Sequence, residues 1–383
     1  MSEDSEATGG LPLFTGVPVH DFFCRMAELV PTVAMPPSTE PQDWKDGEPF
    51  DLPDTYEFNG KNCSVEDFFI DTDTAALLVL QEGRVRLERY ALTGGRDVPW
   101  LSMSVAKSFI SALVGIALTD DLIRSLDDPM SDYFDVATGS AYDGVPIRDV
   151  LQMSSGARWH EDYNDPDSDI FRLSAALSGV GTFDDFVATA VAESESGTVC
   201  RYNSTDTQAL TSLLVNATGR TIPDYMHENL LEPLGVVAPS QWLIDGTGRV
   251  AGAFGLNMTA RDFAKLGELY RNAGHWNGQQ LVPTDYVQAS IQPNGSHTEF
   301  GQPWLGDHQL DLGYGYQWWL PSIDIGEFAA MGVYNQMIYV HPLTASVVVK
   351  LSANRAYGTS NEEITNRDVE HTAFIKGIVK CLA

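Results

Sequence analysis

The chain has little positive charge for its length. Its 23 Lys and Arg residues stand against 53 Asp and Glu residues, which gives the 383 residues a net charge of -30. A charge of this size repels phosphate backbones and anionic lipid headgroups, so we expect neither nucleic acid nor membranes as partners. No apolar run reaches the roughly 18 residues that a membrane span needs. The composition, 43% apolar and 20% charged, is that of an ordinary globular protein.

Cysteine is also scarce, and the four cysteines form no C-x-x-C pair. Reduced thiols are therefore expected, since a chain of this length needs no disulfides to hold a core. The start, Met1 to Gly10, is acidic and polar and does not read as a signal peptide. These features predict a cytoplasmic protein. Several catalytic motifs are missing as well, namely a second His after His160-Glu161, a G-x-S-x-G elbow and a Walker loop.

The apolar pattern predicts strands near both ends of the chain and helices between them. Ala75–Leu80, a Glu82-Gly83 turn and the alternating Val85–Tyr90 predict a β-hairpin. Two more strands are predicted around a His341-Pro342 turn, at Gln336–Val340 and Ser346–Leu351. Helices are predicted at Ser104–Leu118, Phe183–Ala192, Thr207–Thr218, Ala260–Ala273 and Asn366–Cys381.

This order predicts an α/β fold in which an antiparallel sheet is flanked by helices, with an α-helical lobe beside it. We assign residues 71–125 and 304–383 to the α/β lobe and residues 126–303 to the mostly α-helical lobe. Residues 1–70 are assigned to an N-terminal arm, because the stretch from Pro31 to Pro53 is rich in Pro, Asp and Glu and has no apolar period.

One candidate for chemistry is the sequence Ser104-Val105-Ala106-Lys107, which opens the predicted buried helix. A separation of three residues puts the hydroxyl and the amine on one helix face, about a turn apart. A partly desolvated amine can take the serine proton, and a helix N-terminus favours developing negative charge. Alone, the motif fits a surface lysine on a helix equally well.

A second polar stretch, from Arg201 to Thr207, contains one tyrosine, Tyr202, and directly precedes a predicted helix. With the first motif it resembles the class C β-lactamase and penicillin-binding superfamily. Within that superfamily, the chain is most similar to the 6-aminohexanoate-dimer hydrolases and related carboxylesterases. The further stretches that carry this resemblance are Leu101–Ser104, Trp159–Tyr163, Thr259–Asp262 and Gly332–Pro342.

The resemblance implies that Ser104 is the nucleophile, that Lys107 activates it, and that Tyr202 is a phenolic general base and acid. We expect a nearby ammonium to lower the pKa of the Tyr202 phenol. It also implies a backbone oxyanion hole from Ser104 and Val333. The β-lactamase/transpeptidase-like fold of that superfamily is expected too.

The third motif departs from the family, because Gly332-Val333-Tyr334 replaces the usual Lys-Thr-Gly or His-x-Gly. The missing cation makes β-lactams and peptidoglycan stems unfavourable substrates. Trp159 falls, as we align the family, where a tyrosine contacts the scissile amide nitrogen, so we expect esters to be cleaved better than amides. The predicted substrate-binding residues are Trp159, Asn203, Tyr316, Trp318, Tyr334 and Gln336.

These features predict a serine hydrolase that cleaves small esters or linear amides through an acyl-enzyme, with no cofactor and no metal. Three alternatives stay open: a β-lactamase or D-alanyl-D-alanine peptidase, an acyltransferase, and a non-catalytic ligand sensor. The expected partner is a small-molecule ester or amide. The sequence does not decide between a monomer and a homodimer.

Overall fold

The computed structural model describes residues 11–322 and 324–383. The polar start from Met1 to Gly10 lies outside them. The strands are β1 (Thr32–Met35), β2 (Lys45–Asp46), β3 (Thr55–Phe58), β4 (Lys61–Ser64), β5 (Thr74–Gln81), β6 (Arg84–Tyr90), β7 (Trp100–Leu101), β8 (Ser240–Leu243), β9 (Leu256–Met258), β10 (His275–Trp276), β11 (Gln279–Gln280), β12 (Trp304–Leu305), β13 (His308–Gln309), β14 (Gly313–Tyr314), β15 (Trp319–Ser322), β16 (Glu327–Gly332), β17 (Gln336–His341) and β18 (Ser346–Ser352).

The α-helices are α1 (His20–Phe23), α2 (Met26–Leu29), α3 (Val65–Asp71), α4 (Ala106–Thr119), α5 (Ile147–Leu151), α6 (Asp169–Ser174), α7 (Phe183–Ala188), α8 (Ser204–Thr218), α9 (Ile222–Met226), α10 (Glu232–Leu234), α11 (Ala260–Arg271), α12 (Thr284–Ser290), α13 (Glu363–Asn366) and α14 (Asp368–Lys380). A short 3₁₀ turn, Met103–Val105, leads into α4. None of the helices in the described residues has both the length and the apolar character that crossing a bilayer requires.

The large sheet has the strand order β14-β15-β16-β17-β18-β5-β6-β2. Its pairs are antiparallel except the last, in which β2 runs parallel to β6. Strand β5 is apolar along most of its length because both of its faces are covered. Leu78 and Leu80 pack into the core on one face. Leu77 and Val79 pack into a separate core on the other.

Helices cover both faces of this sheet. Phe374 of α14 and Phe68 of α3 stack at 4.5 Å between ring centroids on one face. On the other face α11 packs against β17, β18 and β5, and its Phe263 meets Phe109 of α4. A sheet flanked by helices, with further helices beside it, confirms the predicted fold class.

The second lobe combines helices with a small sheet of order β1-β8-β9-β7. Helix α8 is its centre and contacts α4, α5 and α7. The turn Met103–Val105 follows β7 of this small sheet and contacts β16 and β17 of the large one. The first residues of α4 therefore lie between the small sheet and the large one.

Most locally patterned elements form where the sequence predicts them. The hairpin β5–β6, the pair β17–β18 and helices α4, α8 and α11 agree with the expected positions to within three residues. Two helices are shorter than predicted. Helix α7 ends at Ala188 instead of Ala192, and α14 begins at Asp368 instead of Asn366, because Arg367 has a φ of +53° that ends the preceding helical turn.

The assignment of residues 1–70 to an arm differs from the structure. This stretch includes β1, which pairs with β8 from Thr32 opposite Leu243 to Met35 opposite Ser240. It also includes β2, the hairpin β3–β4 and most of α3. The strands β1 and β2 are stabilised by partners far away in the sequence, so no local pattern marks them.

Candidate active site

Ser104 lies in the strained turn that joins β7 to α4. Met103, directly before it, adopts a left-handed φ of +46° although it is not glycine. Such a conformation costs on the order of 1–3 kcal/mol and persists where surrounding structure fixes it. The turn places Ser104 on the walls of two cavities, and the residue is only 8% exposed.

Lys107 follows one turn later on α4 and points back to Ser104. Its Nζ lies 3.1 Å from Ser104 Oγ, 3.0 Å from Ser204 Oγ and 2.8 Å from the carbonyl oxygen of Ala253. The side chain is fully buried, and burial lowers the pKa of the amine to about 8 although Glu161 acts in the opposite direction. An appreciable fraction of the amine is therefore neutral near pH 7 and can accept a proton.

Glu161 is a buried carboxylate beside this pair. Its oxygens accept hydrogen bonds from Ser204 Oγ at 3.0 and 3.2 Å and from Trp159 Nε1 at 2.7 Å. The hydroxyl of Tyr163 donates to it at 2.5 Å. Ser204 thus links the carboxylate to Lys107. The sequence analysis assigned no role to Glu161, Ser204 or Tyr163, because only the folded chain brings them to α4.

Tyr202 reaches the same place from the segment before α8. Its ring stacks on Trp319 with centroids 5.3 Å apart, and Lys107 Nζ lies 5.0 Å from the centre of the ring. A hydrogen bond with Ser104 favours the phenolate, but burial and the charge of Glu161 outweigh it and raise the pKa of the phenol well above 10. The expected lowering of the Tyr202 pKa is therefore wrong. The phenol is neutral and can pass a proton, but it does not start as a base.

The backbone of Gly332 packs directly against that of Ser104. A Cβ added at Gly332 would lie 2.9 Å from the amide nitrogen of Ser104 and 2.8 Å from the carbonyl oxygen of Ser102. The next residue, Val333, lines both cavities together with Ser104. This close approach brings the Val333 and Ser104 backbones to one place, as the predicted oxyanion hole requires.

Gln336 is fully buried and acts as a brace, not as a substrate contact. Its Nε2 donates to the carbonyl oxygens of Ser352 at 2.5 Å and Val333 at 3.3 Å. Its Oε1 accepts from the Ser352 amide at 3.0 Å. The side chain thereby ties the turn after β16 to the end of β18, which fixes the position of Val333.

The other predicted substrate-binding residues also lie outside the two cavity walls. The Asn203 side chain caps α8 by accepting from Thr205 N at 2.8 Å. Trp318 packs between Tyr270 and Phe328 in the core. These side chains hydrogen-bond to the backbone or pack in the core instead of facing a ligand. A linear motif does not reveal this difference.

The remaining three predicted substrate-binding residues also make contacts within the protein. Tyr316 packs against Tyr286. Tyr334 accepts a hydrogen bond from Phe14 N at 2.6 Å, and so holds the N-terminal segment. Trp159 donates to Glu161 and packs on Phe186, so its indole does not stand where a leaving group would lie.

The hydroxyl that Trp159 lacks is supplied nearby by Tyr163, which lines both cavities. Trp319, next to the predicted Trp318, stacks on Tyr202 and lines the larger cavity. The two neighbours differ because Trp318 precedes β15 and packs in the core, whereas Trp319 begins β15 and lines the cavity. The position of Trp159 therefore gives no support to weakened amide cleavage, and the preference for esters stays a prediction.

Two cavities meet at Ser104. The larger has a volume of about 450 Å³ and includes Tyr202 and Trp319 in its wall. The smaller, of about 110 Å³, is lined almost entirely by apolar side chains. Ser104 and Val333 line both cavities. A substrate whose carbonyl group lies at this junction would therefore have one part in each cavity.

Comparison with known proteins identifies the family of the chain. A family model described as Beta-lactamase matches residues 66–374. A 6-aminohexanoate-dimer hydrolase of Paenarthrobacter ureafaciens is 28% identical over 344 residues, which cover 86% of this chain and 84% of that protein.

Solved structures with the same fold include a Bacillus anthracis protein provisionally named as a 6-aminohexanoate-dimer hydrolase. It has a TM-score of 0.81 and 20% identity, and the match covers 94% of this chain and 92% of that one. EstCE1, a hydrolase with promiscuous acyltransferase activity, has a TM-score of 0.62 and 18% identity over 81% of this chain and 96% of its own. The family match spans most of the sequence and the fold agrees, so the chain belongs to the beta-lactamase family and is a serine hydrolase.

Proposed function

We propose that this hydrolase cleaves small esters and linear amides through an acyl-enzyme on Ser104, with Lys107 as the base and Tyr202 as the proton relay. One observation carries the proposal: a buried amine with a pKa of about 8 lies 3.1 Å from the Ser104 hydroxyl. General acid–base groups act best when their pKa lies near the working pH, and this amine meets that condition.

In acylation, Ser104 Oγ attacks the carbonyl carbon of the substrate and its proton passes to the neutral amine of Lys107. The carbonyl oxygen gains negative charge and faces the backbone N–H groups of Ser104 and Val333. The bond to the leaving oxygen or nitrogen then breaks. That atom keeps the electron pair and takes the proton back through the hydroxyl of Tyr202.

Deacylation uses the same groups in reverse order. A water molecule gives its proton to the Lys107–Tyr202 relay and attacks the acyl carbon. When the bond from that carbon to Ser104 Oγ breaks, the oxygen regains a proton and the acid product leaves. Glu161 supports both steps, since its charge raises the pKa of Lys107 against the effect of burial.

Linear amides belong to the proposed substrates on two grounds. The leaving nitrogen of an amide must be protonated as the intermediate collapses, and Tyr202, the proposed proton donor, lines the larger cavity. The Paenarthrobacter relative is named for hydrolysis of 6-aminohexanoate dimer. We therefore include both esters and linear amides, and the expected preference for esters stays to be measured.

Penicillin-type substrates are the less favoured alternative. Their carboxylate needs a free cation, and the ammonium that lines the larger cavity, that of Lys376, lies 2.5 Å from the buried carboxylate of Glu327. The carboxylate of Asp311 lines the same cavity and repels an anion. The charges thus support an uncharged ester or amide group as the reacting unit.

The experiment is intact-mass spectrometry after exposure to p-nitrophenyl esters, anilides, penicillin G and a fluorophosphonate. Ser104→Ala is compared with a matched control, Ser108→Ala, one turn further along α4, where the hydroxyl donates to the Gln317 carbonyl at 2.7 Å. We expect a stable adduct with the fluorophosphonate and an acyl adduct with esters on the wild type and the control. No adduct is expected on Ser104→Ala, and an adduct that survives there would reject Ser104 as the nucleophile.

A further inference from the structure

Two cavities of different character share Ser104, Tyr163 and Val333 in their walls. A hydrolase divides its substrate into an acyl part, which stays on the enzyme, and a leaving part, which departs. The two cavities correspond to these two parts. Which cavity takes which part follows from the position of the proton relay.

Tyr202 lines only the larger cavity. The leaving atom must receive its proton from this relay as its bond to the carbonyl carbon breaks, so the leaving group lies in the larger cavity. The water for deacylation gives its proton to the same relay and must enter from the same side. The acyl chain therefore has the smaller cavity left to it.

The smaller cavity is apolar in the way that an acyl chain requires. Leu13, Ile170 and Leu177 contribute to its walls, and the carboxylate of Glu161 at its edge is already engaged by three hydrogen-bond donors. A charged acyl group would find no free partner at that carboxylate. An unbranched hydrocarbon chain would meet side chains on all sides.

Its volume limits the length of that chain. The cavity measures about 110 Å³, somewhat less than an apolar cavity of roughly 150 Å³ that is known to hold the six carbons of benzene. About four carbons beyond the carbonyl therefore fit. We infer that the smaller cavity is an acyl-chain pocket that selects short apolar acyl groups, from butanoyl to hexanoyl. This inference rests on the proposed acyl-enzyme at Ser104.

The N-terminal segment closes this pocket. Leu11, Leu13 and Phe14 form part of the wall. The ring of Phe14 stacks on Tyr163 at 4.5 Å and on Tyr334 at 5.1 Å between centroids. The Phe14 amide also donates to the Tyr334 hydroxyl. This part of the wall is thus held in place by packed side chains, which a longer acyl chain would have to displace.

The test is the chain-length profile of kcat/KM with p-nitrophenyl esters from acetate to decanoate. Each buried methylene is worth about fourfold in kcat/KM, so the wild type should rise from acetate to butyrate or hexanoate and then fall steeply. Ser174→Phe fills the pocket and should lower the ratio of butyrate to acetate by about tenfold or more. Phe171→Ala enlarges it and should move the optimum to longer chains.

The matched control is Leu310→Ala, which changes only the wall of the larger cavity. It should leave the optimum chain length in place and alter the response to larger leaving groups. If the optimum instead moves with Leu310→Ala and not with Ser174→Phe or Phe171→Ala, the acyl chain lies in the larger cavity and the inference fails. Absence of any acyl adduct on Ser104 would reject the proposed function itself.

Discussion

Two of the buried lysines, Lys107 and Lys350, lie on opposite faces of the large sheet, and their surroundings differ. Lys107 meets two serine hydroxyls and a carbonyl oxygen, with Glu161 close enough to raise its pKa. Lys350 of β18 meets the hydroxyls of Thr72 and Ser352 and the ring of Phe68. Among the described residues no carboxylate forms an ion pair with it.

The pKa values of the two amines are affected differently by these surroundings. Burial lowers the pKa of Lys350 well below 10.5 with nothing to oppose it, whereas Glu161 holds the pKa of Lys107 at about 8. Ser104, the partner of Lys107, lines both cavities, and Lys350 lines neither of them. Burial alone thus lowers the pKa of a lysine. Access to a substrate and a carboxylate that restores basicity are what make it useful in catalysis.

The comparison predicts its largest effect on activity. Lys107→Met removes the base and should lower kcat for an ester by about 1000-fold, within the range for loss of general acid–base catalysis. Lys350→Met is the matched control and should stay within about twofold of wild type, since no step uses it. Steady-state kinetics on p-nitrophenyl butyrate measures both. Comparable losses in the two variants would mean that both act through the fold.

A second prediction concerns the turn that faces Lys107 across Ser104. In Gly332→Ala the new Cβ would crowd the Ser104 amide at 2.9 Å and push Val333 out of the oxyanion hole. Loss of one oxyanion donor costs roughly 100- to 1000-fold in kcat. Gly246→Ala, where an added Cβ meets nothing within 4 Å, is the control and should keep full activity. Full activity of Gly332→Ala would place the oxyanion hole elsewhere.

On the opposite face, the expected effect is on stability. Because the pKa of Lys350 is lower in the folded than in the unfolded chain, the unfolded chain binds the proton more tightly. The free energy of unfolding should therefore rise with pH from the folded pKa up to the unfolded value near 10.5. Lys350→Met removes this penalty, offset by the lost hydrogen bonds, and should stabilise the protein at pH 7 by on the order of 1 kcal/mol or more.

Urea unfolding of wild type and Lys350→Met at several pH values measures this difference. The advantage of the variant should shrink as the pH approaches 10.5, where the unfolded lysine also becomes neutral. Urea unfolding of Lys107→Met under the same conditions allows the effects of removing the two lysines on the free energy of unfolding to be compared. A variant Lys350→Met that is less stable at every pH would show that the hydrogen bonds to Thr72 and Ser352 outweigh the cost of burial.

The sequence predicted what depends on local pattern. The spacing of Ser104 and Lys107 on one helix, the strands β5, β6, β17 and β18, and the fold class all follow from periodicity or from the family resemblance. The backbone N–H of Val333 could also be proposed from the sequence, because the motif specifies a backbone position whatever side chain the residue carries.

The sequence did not predict which side chains line the cavities of the site. Trp159 and Tyr163 are four residues apart in one loop, and only the path of that loop decides which of them faces the cavity. Trp318 directly precedes β15 and Trp319 begins it, so a shift of one residue exchanges core for cavity. The pKa of Tyr202 depends on Glu161, whose position is set by tertiary contacts alone.

The most direct test of the role of Lys107 is the pH dependence of Ser104 acylation, measured as the pre-steady-state burst rate with p-nitrophenyl butyrate. The rate should rise with pH, because only the neutral amine accepts the serine proton, and reach half its maximum at a pH of about 8. Lys350→Met should leave this midpoint unchanged, and Glu161→Gln should move it to lower pH by removing the charge that raises the pKa of Lys107. A rate that does not change with pH, or a midpoint that is the same in Glu161→Gln as in the wild type, would contradict the role of Lys107 as the base.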